Sequence, residues 1–166
     1  KDAIGRRWQL STIQVDFAQP DNFDLQFVDS NNKRVKPVMI HRALLGSIER
    51  FTGILIENYA GEFPGWLSPV QVKVLTIGDV SNYLNKLTKS LKGFRYEVDD
   101  RNLRLGEKLH DASKEKVPIT IIVGEKDELS NTLAINIRSQ DNQQNVKYED
   151  AIKQIKANLK TPIFKI

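Results

Sequence analysis

Ser47 and Arg50 stand three residues apart in the run Val38-Met39-Ile40-His41-Arg42-Ala43-Leu44-Leu45-Gly46-Ser47-Ile48-Glu49-Arg50-Phe51. On a helix that spacing puts both on one face. Gly46 beside them would let a flat ligand lie against the backbone. An arginine guanidinium can stack on an aromatic ring while it holds a phosphate. That chemistry is nucleotide binding, and a solvated arginine on an amphipathic helix is the plain alternative. A second cluster, Asp99-Asp100-Arg101-Asn102-Leu103-Arg104, precedes an expected helix. A helix start with Asn102 and Arg104 nearby can take a phosphate or a base edge, and Asn102 can equally serve as an N-cap. The chain has two His, His41 and His110, and no Cys. Thiol nucleophiles, disulfides and all-cysteine zinc or iron–sulfur sites are therefore excluded.

The elements that must position these residues can be read from periodicity. Residues 8–17 predict a strand, with Ile13, Val15 and Phe17 alternating against Thr12, Gln14 and Asp16. A turn at 20–22, strands at 25–28 and 38–40 and a turn at 29–32 make an antiparallel sheet. A helix over about 43–60 carries Leu44, Ile48, Phe51, Leu55 and Tyr59 at helical spacing, with Gly46 and Gly53 inside it and Gly61 as its stop. Two Gly and two Pro within residues 61–69 mark a boundary. This divides the chain into 1–62 and 63–166. The second piece reads as strand 70–77, helix 80–91, strand 94–98, helix 105–114, strand 117–123, a turn at 125–131, strand 132–137 and helix 150–159. That βαβαββα order is an α/β fold with a mixed sheet and helices on its faces.

Composition narrows the class. The chain has 166 residues, 40% of them hydrophobic, and 25 Lys and Arg against 21 Asp and Glu. This is a globular composition, and the net +4 permits an anionic partner without demanding one. No apolar run is long enough to cross a membrane, and residues 1–5 do not read as a signal peptide.

The run His41 to Phe51 resembles motif 3 of the class II aminoacyl-tRNA synthetases, in the form carried by their threonine-specific branch. Gly5-Arg6-Arg7-Trp8-Gln9-Leu10-Ser11-Thr12-Ile13-Gln14-Val15-Asp16-Phe17 resembles the strand before it. Phe63-Pro64-Gly65-Trp66-Leu67-Ser68-Pro69 resembles the entry to that branch's anticodon-binding domain. The resemblance covers essentially the whole chain, in order and spacing. It implies that Arg50 stacks on the adenine of ATP, with Gln9 and Ser47 holding the nucleotide. It implies that Gln14 orients threonine with Thr12 as a weaker candidate, and that His41 is one of three zinc ligands. Gln9 and Gln14 are five apart, so a bulge near Ser11 is needed if both line one pocket on a regular strand. In the second domain, Asn102, Arg104, Glu125 and Asp127 would contact the anticodon loop. Asp127 stands where the family often has Glu. Asn136 stands where it often has Arg, so Arg138 is the candidate substitute.

The expectation is a C-terminal fragment of a threonine-specific synthetase. It comprises the end of the catalytic domain with motif 3 and an anticodon-binding domain. The parent would use ATP, magnesium and zinc, act on threonine and tRNA, form a homodimer and work in the cytoplasm. The fragment alone would bind none of those cofactors and would be inactive, because motifs 1 and 2 and the other zinc ligands are not in it. Two other readings stand beside this one: a stand-alone RNA-binding module with a vestigial synthetase-like half, and an α/β interaction domain with no nucleic-acid role.

Overall fold

Turn chemistry and apolar patterning produce two units in the computed structural model, which describes residues 1–162. One unit is Lys1–Tyr59 and the other begins at Ala60.

The first unit contains β1 (Thr12–Asp16), α1 (Ala18–Asn22), β2 (Phe27–Val28), β3 (Arg34–Val35), β4 (Met39–Ala43) and α2 (Ile48–Asn58). The strands form two antiparallel pairs, β1 with β4 and β2 with β3, rather than one three-stranded sheet. The expected turn at 20–22 is the end of a short helix. Asp16 Oδ1 accepts from the Ala18 and Gln19 amides at 2.9 and 3.0 Å, and Pro20 sits where a helix start has no use for its missing N–H.

The helix expected from residue 43 begins five residues later. Ala43 is still in the ladder, opposite Thr12. Gly46 has φ +66, and a Cβ there would lie 3.1 Å from the Leu10 carbonyl oxygen, so a left-handed turn packed on backbone separates strand from helix. Gly46 therefore lies outside the helix, and Gly53 is the one inside it. No residue of α2 is buried. Ile13, Val15 and Ile40, which share one face of the β1/β4 pair, are 66%, 56% and 66% exposed.

The second unit contains β5 (Val72–Ile77), α3 (Ser81–Ser90), β6 (Tyr96–Asp99), α4 (Leu105–Lys114), β7 (Ile119–Gly124), α5 (Glu125–Ser130), β8 (Thr132–Ile137), β9 (Gln143–Lys147) and α6 (Tyr148–Leu159). The sheet order is β6-β5-β7-β8-β9, with the first three strands parallel and the last two antiparallel. Val72, Val74, Ile119, Ile121, Leu133 and Ile135 line one face and pack with Tyr83 and Leu87 of α3 and Ile155 and Leu159 of α6. Lys73, Leu75 and Thr120 lie on the other face, toward α4.

Two elements depart from the sequence reading. The expected turn at 125–131 is the helix α5, closed by Asn131 in the left-handed region. The strand β9 was not expected at all. It is an edge strand whose sequence, Gln-Gln-Asn-Val-Lys, offers one apolar residue, and its pairing with β8 is irregular between Leu133 and Ile135. Edge strands bury little, so they leave no alternation to read.

Candidate functional site

In the first unit the ladder does the positioning. Gln14 stands directly opposite His41, and Thr12 opposite Ala43, so Thr12, Gln14 and His41 share one sheet face and line one groove. His41 Nε2 lies 3.2 Å from Asp16 Oδ2. The Gln19 amide bond is the largest cause holding the Asp16 carboxyl below its ordinary value, and the bond to His41 adds to it. Among the described residues, no group of three or more His, Cys, Asp or Glu comes together that could hold a metal. His41 and Asp16 are two potential donors, one fewer than the three protein ligands that the implied zinc site calls for.

The nucleotide candidates are arranged differently from a shared helix face. Ser47 is the N-cap of α2: its Oγ accepts from the Arg50 amide at 3.3 Å and donates to Glu49 Oε2 at 2.6 Å. The Arg50 guanidinium lies over the Trp8 ring at 5.5 Å, and Arg6 lies over the same ring at 5.4 Å. Trp8 is tethered through Nε1 to Asp2, which is buried and also accepts from Arg6. Burial pushes the Asp2 carboxyl up, but the bonds from Trp8 and Arg6 outweigh it and hold it at about 2. Arg50 is thus in a stacking geometry, against a tryptophan of its own chain. Gln9 is exposed and precedes β1, so strand parity does not apply to the Gln9–Gln14 pair and no bulge is required.

In the second unit the parallel strands do the work. Loops leaving the C-terminal ends of parallel strands gather along one sheet edge. Here those are 78–80 after β5, 100–104 after β6 and the Gly124-Glu125 junction after β7. Leu75 pairs with Asp99 and Ile77 with Gly124, which sets the three loops side by side. Gly78, at φ +75, makes the room: a Cβ there would meet Glu125 Oε1 at 3.0 Å. Gly78, Asp79, Asp100, Arg101, Asn102 and Lys108 line a shared cavity of about 490 Å³.

The side chains of this rim divide into two kinds. Arg101 is committed internally. It donates to both Asp99 oxygens at 2.9 and 2.7 Å and to Asp111 Oδ2 at 2.8 Å. That guanidinium is the main cause holding the Asp99 carboxyl at about 2. Asp127 is committed too, accepting from the Gly124 amide at 3.0 Å. By contrast Asp100, Asn102, Arg104 and Glu125 are exposed, and among the described residues their side chains make no hydrogen bond or ion pair. Arg104 occupies the N-cap position of α4 without a side-chain cap bond, so Asn102 is not the cap that its type suggests.

Asn136 and Arg138 stand elsewhere. The Arg138 amide bonds the Pro118 carbonyl, at the start of β7 rather than its end. At ~3.3 Å per residue that is roughly 20 Å from Gly124. The Arg138 guanidinium donates to the Phe63 and Lys116 carbonyls. It lies beyond the end of β8, so it does not continue the strand face of Asn136. Asn136 shares a second cavity with Thr120, Ala112 and Lys116. The structure therefore brings Asn102 and Glu125 to one edge, with Arg104 at the end of the same loop, and leaves Arg138 outside it.

Two members of the rim were not singled out from sequence. Asp100 falls in the run read as the loop before α4, but no role of its own is assigned to it there. Lys108 carries a signal: it falls three residues after Leu105 and four before Ala112, which places a lysine on the inward side of α4.

The chain matches two family models in succession. The family described as "Anticodon binding domain" matches residues 71–158, and "tRNA synthetase class II core domain (G, H, P, S and T)" matches residues 1–59. The threonine–tRNA ligase of Clostridium tetani is 51% identical over 84% of the chain, and that of Clostridium botulinum strain Okra is 44% identical over 96%. The chain spans about a quarter of the length of these curated relatives, 22% and 26%. Among solved structures, the RNA binding domain of threonyl-tRNA synthetase from Cryptosporidium parvum superposes with a TM-score of 0.79 at 28% identity, covering 95% of this chain and 41% of that one. Threonyl-tRNA synthetase ThrRS-1 of Aeropyrum pernix gives 0.57 at 28% identity, covering 93% and 39%.

Proposed function

The chain belongs to the anticodon-binding-domain family, and on that premise we propose that it is the part of a threonine–tRNA ligase that grips the anticodon arm of the tRNA. The observation that carries this is the rim: Asn102, Arg104, Asp100 and Glu125 project freely at the C-terminal edge of the parallel strands. Its mixed charge suits bases more than backbone. Carboxylates repel phosphates but accept hydrogen bonds from base amino groups, and Asn and Arg read base edges that single-stranded loops expose. Arg104 supplies the cation and the start of α4 the favourable dipole.

The first unit fits a share of the adenylate-forming site. Arg50 would exchange its stack on Trp8 for adenine, Gln9 and Ser47 would hold the nucleotide, and Gln14 with Thr12 would line the threonine pocket. ATP, threonine and magnesium belong to the whole ligase, where ATP drives threonyl-adenylate formation before transfer to tRNA. This chain alone should not run the reaction, because positioning and charge stabilisation at the α-phosphate would be shared with the rest of the ligase.

The test is a titration of the wild-type chain, Arg104→Ala and Lys160→Ala against threonine anticodon stem-loops and anticodon-swapped ones at two salt concentrations. A bidentate base contact predicts a loss of about 1–3 kcal/mol for Arg104→Ala with weaker discrimination. A phosphate contact predicts uniform weakening and a salt slope lower by about one. Identical binding by all three proteins to both stem-loops overturns the assignment.

A further inference from the structure

Beneath the rim lies a charge that the RNA reading leaves unused. Lys108 is 2% exposed, and its ammonium donates to the Thr76 carbonyl at 2.8 Å and the Asp99 carbonyl at 3.1 Å. Thr76 is the penultimate residue of β5 and Asp99 the last of β6. A side chain from α4 thus ties together the ends of two parallel strands at the point where the chain leaves the sheet for the Asn102 loop. The Thr76 hydroxyl reaches the same Asp99 carbonyl at 3.4 Å. Arg101, within the loop, grips the Asp99 carboxylate, so Asp99 is held at both its carbonyl and its carboxylate.

Moving an ammonium into an interior costs several kcal/mol, and two neutral carbonyls do not neutralise it; the buried Asp99 carboxylate, which feels the Lys108 charge, offsets part of that cost but is already bonded by Arg101. An unbranched apolar side chain of similar length would fill the space at lower cost. What the ammonium adds is direction, since it bonds two particular carbonyls and so sets the separation of the two strand ends.

We propose that Lys108 is a positioning residue for RNA recognition: its buried ammonium holds the loop from Asp99 to Arg104 in one conformation, so that Asn102 and Arg104 are presented before RNA arrives. This rests on the rim being the RNA-binding surface. A surface ordered in advance does not spend binding energy on ordering itself, so loss of the tie appears as loss of affinity and of discrimination.

The experiment compares the wild-type chain with Lys108→Met and Lys108→Cys, the latter before and after aminoethylation with bromoethylamine in urea and refolding. The chain has no other cysteine, so the reagent restores an ammonium at one position. Amide exchange is read at Arg101 and Leu103, whose N–H groups bond Asp99 Oδ1 and the Arg101 carbonyl, and at Ile121 as reference. Stem-loop affinity is read alongside. Lys108→Met should speed exchange at Arg101 and Leu103 by about tenfold or more, leave Ile121 unchanged, and weaken the matched stem-loop by about tenfold with less discrimination. Aminoethylation should recover both. If the wild-type chain binds and the loop loosens without loss of affinity, or the loop does not loosen, the role of Lys108 is overturned alone. If the wild-type chain binds neither stem-loop, the RNA reading falls, whatever the loop does. Unfolding of both variants, unrepaired by aminoethylation, makes Lys108 a structural residue and also overturns the proposal.

Discussion

Asp99 shows how one carboxylate links stability to pH. Its folded value of about 2 lies below the ordinary 3.8, chiefly because Arg101 bonds it. A depressed carboxylate stabilises the fold fully above its unfolded value, and that contribution is lost as pH falls through the folded one. Asp99→Asn should therefore be less stable than wild type at neutral pH, and the gap should narrow between about pH 4 and pH 2. Urea unfolding at several acid pH values measures this, and parallel curves for the two proteins would contradict it. Gly46 makes a second residue-level case. Gly46→Ala must place a side chain at φ +66 with its Cβ 3.1 Å from the Leu10 carbonyl oxygen. A cost of about 1–2 kcal/mol is expected from the left-handed backbone alone. Limited proteolysis should then cut residues 43–48 faster than in wild type, and an unchanged cleavage rate would count against the strain.

At the scale of elements, the two units differ in what they bury. β7 is covered on both faces, with Ile121 fully buried, whereas Ile13 in β1 is 66% exposed. Ile121→Ala should cost about 2–5 kcal/mol of transfer and cavity energy. Ile13→Ala should change stability by no more than about 0.5 kcal/mol. Denaturant midpoints decide between them, and similar losses would mean that the β1/β4 face is covered in solution. The same contrast predicts faster amide exchange in β1 than in β7, because two-stranded pairs without a buried face open locally at low cost. Equal protection in the two strands would show the first unit to be self-sufficient.

For the molecule as a whole, the proposed division of labour separates binding from chemistry. The purified chain should bind the anticodon arm with marked salt dependence and yet give no threonine-dependent pyrophosphate exchange, if charge stabilisation at the α-phosphate is, as proposed, shared with the rest of the whole ligase. Exchange above background with this chain would show that its first unit holds a complete activation site.

Sequence alone determined the elements with strong periodicity and the family they compose. The span Leu105–Lys114 is legible because Leu109 and Ala112 recur at helical spacing, and Thr132–Ile137 because Leu133, Ile135 and Ile137 recur at every second position. Local signals of this kind need no partner to be read. The same is true of the run from His41 to Phe51, whose order of residue types carries the class II resemblance. The tertiary structure decided what depends on neighbours distant in the chain. The strand β9 exists because β8 offers it an edge, and α2 starts late because Gly46 must pass the Leu10 carbonyl. It also decided which polar residues are free. Asn102 and Arg104 are the candidates that the sequence names in this loop, and the structure adds that Asp99 and Asp111 take their neighbour Arg101 while these two face the solvent. The spacing of Lys108 puts it on the inward side of α4, but what it bonds there is set only where two strand ends converge on it. Some of these partners are near in the chain and one, Thr76, is 32 residues away, but all of them meet only when β5, β6 and α4 converge, which residue type and spacing do not encode.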